Sequence, residues 1–163
     1  MDLTSSVVSA GMDGDTVTLA GRLGIALLLG AALGLDRELR SKSAGLRSHM
    51  LVSMAAASFA LTAMALVERS AAISDGVSAD PIRALEAVVT GVAFLGAGAI
   101  IQAGGTAKGL TTGASLWVAG AMGLASGFGQ IRLAVLTAVF GLFVLLVLGW
   151  VERRAIDGRK AND

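Results

Sequence analysis

Residues 34–52 read GLDRELRSKSAGLRSHMLV, and this polar stretch decides how the rest of the chain is interpreted. It places two acidic side chains, four basic ones and the only histidine between two long apolar segments. Ionisable groups are costly inside a bilayer. The stretch therefore lies either in water at a membrane surface or in a protected polar site between helices.

The composition predicts a membrane protein. The 163 residues are 55% hydrophobic and 15% charged, whereas soluble domains average about 25% charged residues. Five apolar segments are each near the roughly 17–25 residues that a membrane-spanning helix needs. We predict one all-α domain over residues 1–163, a polytopic transmembrane helical bundle with helices near residues 17–35, 48–67, 81–101, 111–127 and 131–151. The absence of cysteine excludes disulfides and thiolate metal sites.

Local signals place several helix boundaries. Asp80 before Pro81, the only proline, predicts the start of the third helix. Ser48 is a candidate N-cap of the second helix, and Thr111 or Thr112 of the fourth. The N-terminal segment has no basic residue before Arg22, unlike a secretory signal peptide. We therefore expect the first apolar segment to remain as a membrane helix.

The distribution of basic residues predicts the topology. With five crossings, nine basic residues fall on one side of the membrane and four on the other. The nine are Arg37, Arg40, Lys42, Arg47, Lys108, Arg153, Arg154, Arg159 and Lys160. The four are Arg22, Arg69, Arg83 and Arg132. Because cytoplasmic loops are enriched in Lys and Arg, the N-terminus is expected outside and the C-terminus inside.

The polar stretch allows three interpretations. In the first it is a solvated loop, in which Asp36 pairs with Arg40 and Glu38 with Lys42 at helical spacing. In the second, Asp36 or Glu38 lies between helices and pairs with Arg47, forming a functional polar site. In the third, His49 joins the two carboxylates around a divalent cation. The residues alone leave all three open.

The glycines also allow more than one interpretation. Gly30 with Gly34, and Gly123 with Gly127, have the four-residue spacing that permits close helix packing in lipid. The glycine-rich segment could instead be a broken helix that lines a polar cavity. The GLTTGAS segment after Lys108 could form a helix N-terminus able to hold an anion. No nucleophile-elbow or phosphate-loop pattern is present, so we predict neither enzymatic activity nor a cofactor.

Three segments resemble the MgtC/SapB family of bacterial inner-membrane proteins: GLDRELRSKSAGLRSHMLV, GVAFLGAGAII and GLTTGASLWVAGAMGLASGFG. The resemblance covers nearly the whole chain, with the segments in the family's order and spacing. The first family motif falls on Asp36, Arg37, Glu38, Lys42, Gly45 and Arg47. The second falls on Gly109, Thr111, Thr112, Ser115 and Trp117. The chain departs from the family pattern at Asp36, Ser48 and Gly113, where Glu, Thr and Ala are common.

The resemblance implies a multi-pass protein of the bacterial inner membrane, linked to growth in low magnesium and, in pathogens, to survival in macrophages. It implies a regulator that binds other membrane proteins, such as the membrane sector of ATP synthase, and not nucleic acid. Virulence-type members add a soluble C-terminal domain, which is not expected here. The glycine pairs allow a homodimer. The alternative is an ion or solute pathway guarded by Asp36, Glu38 and Arg47.

Overall fold

The computed structural model describes residues 16–73, 80–103, 106–150 and 154. These residues form five α-helices, and the fifth continues into a π-helical segment at Val144–Leu148. The helices are α1 (Thr16–Leu39), α2 (Leu46–Ile73), α3 (Pro81–Gly98), α4 (Leu110–Gly127) and α5 (Ile131–Phe143). Strands β1 (Ile101–Ala103) and β2 (Thr106–Lys108) form a short antiparallel ribbon between α3 and α4, with Ile101 opposite Lys108. The helical-bundle prediction is confirmed.

Helix α4 lies at the centre of the bundle and contacts each of the other four helices. Those four contain the described segments that are long and apolar enough to cross a membrane: Thr16–Leu39, Leu46–Ser70, Pro81–Gly98 and Ile131–Leu148. The chain is therefore a multi-pass membrane protein. The 18 residues of α4 would reach about 27 Å at 1.5 Å per residue. Because its neighbours shield it, α4 can carry Gly, Ser and Thr where an isolated span would need larger apolar side chains.

The connection between α1 and α2 differs from the prediction. Helix α1 continues to Leu39 instead of ending near residue 35, and α2 begins at Leu46. Ser48 therefore lies inside α2 and is not its N-cap. The Glu38 carboxylate takes that role, since its Oε2 accepts a hydrogen bond of 2.9 Å from the Leu46 N–H across the loop. A side-chain acceptor at a helix start satisfies a backbone donor that lacks an intrahelical partner.

The connection between α3 and α4 also differs. Asp80 caps α3 as predicted, with its side chain accepting from Ile82 N at 2.9 Å. However, α3 ends at Gly98 and not near residue 101, because the chain turns into the ribbon. The N-cap of α4 is Gly109, not a threonine, and no side chain caps this helix. Gly109 has a φ of 87°, which favours glycine. An added Cβ would also lie 2.2 Å from Ala99 O, so there is no space for a side chain.

Glycines bring α1 and α4 against α2. A Cβ added to Gly30 of α1 would lie 2.6 Å from His49 O, and one added to Gly123 of α4 would lie 2.0 Å from Ser53 O. Gly34 and Gly127 face α2 at similarly close range. Such close approach maximises van der Waals contact between helices, which drives association where lipid removes the hydrophobic effect. These glycine faces are therefore covered within the chain.

An apolar cluster fills the middle of the bundle. Its buried members are Leu33 of α1, Ala119 and Met122 of α4, and Ala138 of α5. Along α4, Ala119 and Met122 lie between the polar residues near its start and Gly127 at its end. This cluster separates the two ends of the bundle.

Arg22 joins α1 to the C-terminus of α4 at the end opposite the α1–α2 loop. Its Nη1 donates a hydrogen bond of 2.9 Å to Gly127 O. The Ser126 hydroxyl donates back to Arg22 O at 2.7 Å. The last carbonyls of a helix lack intrahelical donors and carry partial negative charge. A guanidinium at this position therefore stabilises the end of α4.

We expect Arg22→Met to lower the free energy of unfolding by about 1–2 kcal/mol, because it leaves Gly127 O without its charged donor. Reversible unfolding in detergent, followed by tryptophan fluorescence, measures this change. Arg132→Met removes a charge from an exposed position of α5 and should change stability little. Equal effects of the two substitutions would contradict the capping role of Arg22.

Candidate functional site

Arg37 lies inside the bundle although it belongs to the most polar stretch of the chain. Because α1 continues past residue 35, Arg37 follows Ala26, Gly30 and Leu33 on the buried face of that helix. Only 4% of Arg37 is exposed. Its Nη2 donates a hydrogen bond of 2.9 Å to Thr112 Oγ1 in the first turn of α4. A cation of α1 is thus held against the start of the central helix.

His49 makes a second buried link, between α2 and α4. The ring is fully buried, with Nδ1 2.8 Å from Gly45 O and Nε2 2.9 Å from Ser115 Oγ. A carbonyl oxygen only accepts, so Nδ1 carries a hydrogen. In the neutral ring, Nε2 then accepts from the Ser115 hydroxyl. That hydroxyl is also 2.9 Å from Thr112 O, and when it donates there, Nε2 must itself carry a hydrogen.

These two links bring the two family-like motifs together. Arg37 and Thr112 are 75 residues apart in sequence, and His49 and Ser115 are 66 apart. The paired residues are all buried, so their polar groups depend on one another for hydrogen bonds. The motifs therefore form one site at the end of the bundle that carries the α1–α2 loop. We call this end of the bundle the basic end, because it carries Arg37, Arg40, Lys42, Arg47 and Lys108.

Asp36 pairs with Arg40, one helical turn away, through Oδ1 and Nε. The first interpretation predicts this pair, but the Asp36 side chain is only 9% exposed, so the pair is not solvated as that interpretation expects. Arg37 Nε and Asp36 Oδ2 are also buried, and neither has a hydrogen-bond partner among the described residues. Buried polar atoms almost always have partners. Asp36 Oδ2 can therefore still accept a hydrogen bond, and Arg37 Nε can still donate one, to a ligand, ion or water.

The remaining residues of the first motif lie at the surface. Arg47 is exposed, and Asp36 pairs with Arg40 instead, so the predicted Asp36–Arg47 pair is wrong. Glu38 does not lie between helices either, since its carboxylate caps α2. An added Cβ at Gly45 would overlap that carboxylate, so a larger residue there would displace the Glu38 side chain from Leu46 N. Lys42 is exposed in the loop.

The second motif is divided between the two sides of α4. Thr112 and Ser115 face the interior, whereas Thr111 and Trp117 are exposed. Trp117 is 50% exposed. The motif therefore combines polar anchoring within the bundle with an outward aromatic surface.

The described residues give no support to a divalent-cation site at His49. No group of three or more His, Asp or Glu side chains in this part of the chain could hold a metal ion. Both ring nitrogens of His49 instead bond to a carbonyl and a hydroxyl. The interpretation in which His49, Asp36 and Glu38 hold a divalent cation is therefore wrong for this geometry.

Sequence reasoning missed the buried hydroxyls that join the helices. Ser53 of α2 is fully buried and donates to Ala26 O of α1 at 2.7 Å. Ser126 donates to α1 in the same way. The available signal was a serine within an apolar, small-residue helix, a type of residue that often bonds across helices in membranes. That signal does not reveal the acceptor.

Comparison with known proteins supports the assignment that the motifs suggested. The model of the MgtC family matches residues 23–154. An uncharacterized protein of Haemophilus influenzae is 30% identical over 95% of the chain and 67% of its own length. The protein named "Putative magnesium transporter YhiD" of Escherichia coli K12 is 39% identical over 83% of the chain and 63% of its own length.

Protein MgtC of Salmonella typhimurium is 36% identical over 79% of the chain and 52% of its own length. The chain thus spans about half to two thirds of the length of these curated relatives. No solved structure matches. The family model covers every residue of both motifs and both links between them. The chain belongs to the MgtC family.

Proposed function

We propose that this chain is a protein of the bacterial inner membrane that regulates other membrane proteins by binding them and catalyses no reaction itself. The supporting observation is the apolar cluster of Leu33, Ala119, Met122 and Ala138 in the middle of the bundle. A pathway for ions needs polar groups or water at that depth. The buried members of the cluster have no polar side chain, which supports binding over transport.

The basic end is proposed to face the cytoplasm, with the N-terminus outside. Nine basic residues against four support this orientation. Arg154, whose guanidinium lies 4.3 Å from the centre of the Trp150 ring, adds an aromatic and a cation to the same end. Aromatic residues with basic neighbours are typical of membrane interfaces.

The proposed binding surface is the outward stripe of α4. The glycine faces are not available to a partner or to a second copy, because they contact α2 within the chain. The stripe consists of Leu110, Ala114, Trp117 and Ala121, all exposed. Contacts to α3 flank it on one side, through Gly113 and Gly120, and Gly141 of α5 faces Val118 on the other. Exposed tryptophans commonly dominate the binding energy of an interface.

The family resemblance suggests the membrane sector of ATP synthase as the partner. We expect the purified chain to capture that purified sector in detergent, and Trp117→Ala to weaken binding by about tenfold or more, as for an interface hot spot. Leu28→Ala is the matched control, because Leu28 is exposed on α1, away from the stripe. Unchanged binding by Trp117→Ala, or an equal loss with Leu28→Ala, would contradict this surface.

The alternative function is an ion or solute pathway that begins at the basic end. The partnerless Asp36 Oδ2 and Arg37 Nε favour it, as does the name of the Escherichia coli relative. In proteoliposomes the regulatory function predicts no movement of Mg²⁺, protons or phosphate. If the chain moved one of these ions, and a folded Asp36→Asn variant did not, transport would replace regulation as the better-supported function.

A further inference from the structure

A cavity opens at the basic end between α1, the ribbon, α4 and the end of α5. Its volume is about 570 Å³, which falls within the range of small-molecule sites. The lining combines two kinds of residue. The charged ones come from α1 and its loop, and the apolar ones come mainly from the π-helical segment after α5, with Ala107 of the ribbon and Leu110 of α4. Turns of π-helix often occur at functional sites.

The charges around this cavity are of one sign. Arg37, Arg40 and Lys42 line it, and none of the described residues in the lining is acidic. Asp36 does not line the cavity and is paired with Arg40. Asp36 offsets the charge of Arg40, but Arg37 and Lys42 keep the lining cationic, and an anion between these side chains is stabilised by their charge.

The start of α4 contributes backbone donors to the same cavity. Leu110, Thr111 and Thr112 form its first turn and line the cavity. The first intrahelical bond is from Gly113 N to Gly109 O, and no side chain caps the helix. The N–H groups of the first turn therefore lack intrahelical acceptors, and the positive end of the helix dipole is open to an anion.

Arg37 independently indicates a missing acceptor. It lines the cavity, it is more than nine-tenths buried, and its Nε has no partner among the described residues. Its bond to Thr112 holds the guanidinium at the cavity wall beside the first turn of α4. A buried guanidinium donor without an acceptor is costly, and a bound anion would supply one.

We infer that this cavity binds a phosphate group, either that of an anionic phospholipid or free inorganic phosphate. A tetrahedral oxyanion satisfies guanidinium donors and helix N–H groups together. The wall formed by Val144, Leu145 and Leu148 would accept the glycerol and upper acyl carbons of a lipid. The inference does not depend on the proposed regulation of partners, because the cavity shares only Leu110 with the outward stripe of α4 and its cationic side chains come from α1 and the α1–α2 loop.

The test uses the full chain in detergent, with dioctanoyl-phosphatidylglycerol, dioctanoyl-phosphatidylcholine and inorganic phosphate as separate probes. Binding is measured by isothermal titration. We expect binding of phosphatidylglycerol or phosphate, and a loss of about tenfold or more in Arg40→Gln/Lys42→Gln, which removes two charge-assisted contacts. The control Arg47→Gln/Lys108→Gln removes the same charge from this end at positions outside the lining and should bind like the unmodified chain.

A second pair of variants tests the cavity without changing charge. Ala107→Trp fills the cavity, because Ala107 lines it, whereas Thr106→Trp places the same ring on the neighbouring ribbon residue outside the lining. Only Ala107→Trp should abolish binding. Binding of phosphatidylglycerol that inorganic phosphate does not displace assigns the lipid, and displacement by phosphate assigns the free anion. The inference would be overturned if neither phosphatidylglycerol nor inorganic phosphate bound, or if phosphatidylcholine bound as tightly as phosphatidylglycerol. It would also be overturned if the control variants lost as much affinity as the variants of the lining.

Discussion

Replacing Gly123 with alanine is expected to lower the free energy of unfolding by about 3 kcal/mol or more, at the upper end of what overpacking costs. The new Cβ would lie 2.0 Å from Ser53 O and 2.8 Å from the carbonyl carbon. These are backbone atoms, so no side-chain rotation can relieve the overlap. Helices α2 and α4 would have to separate, and α2 also holds α1 through Gly30. Denaturant titration in detergent, followed by tryptophan fluorescence, measures the loss.

Gly91→Ala and Gly21→Ala are the matched controls for this substitution. Both glycines lie within helices, and an added Cβ at either would meet nothing within 4 Å. Because alanine has the higher helix propensity, these variants should be neutral or more stable by up to about 1 kcal/mol. If Gly123→Ala unfolded at the same denaturant concentration as the controls, the close contact between α2 and α4 would be refuted.

His49→Ala is expected to destabilise the basic end by about 3 kcal/mol, from a buried cavity and two lost hydrogen bonds. The ring joins α2 to α4 through Ser115, and its Nδ1 also bonds to Gly45 O immediately before α2. Its removal leaves the Ser115 hydroxyl without its inter-helix partner. The same unfolding titration measures the effect.

Two further variants separate hydrogen bonding from general disturbance of α2. His49→Gln keeps an amide that can reach Ser115 and should recover part of the lost stability. Arg47→Ala removes an exposed side chain two residues away and should stay within about 0.5 kcal/mol of the unmodified chain. A loss in His49→Ala no larger than that in Arg47→Ala would show that the buried ring contributes nothing to the α2–α4 contact.

The general architecture could be predicted because it depends on local properties of the sequence. Five apolar segments near membrane-spanning length predict five helices, and Asp80 with Pro81 predicts the start of α3 from neighbouring residues alone. The predicted boundaries failed where a distant residue decided them. Ser48 is not a cap because Glu38 reaches Leu46 N, and Gly109 replaces the threonines at the start of α4 because Ala99 O approaches it.

The candidate site could be predicted only as a region. The charged stretch and its resemblance to a family directed attention to residues 34–52, and one of the three interpretations paired Asp36 or Glu38 with Arg47. Arg47 is exposed, and Arg37, one more cation in a row of several, is buried instead. Which member of such a row faces inward depends on how far α1 continues and on which face meets α4. Neither quantity can be determined from spacing alone.

The amino-acid sequence by itself determined the membrane class, the number of helices and the concentration of cations at one end, since hydropathy and charge are properties of each segment. Only the tertiary structure decided that Arg37 bonds to Thr112 and His49 to Ser115, and that the glycines face α2 within the chain. Only it showed the cavity beside them, which Arg37, Arg40 and Lys42 line. These features depend on residues far apart in sequence, and contacts of that kind exist only once the helices have packed.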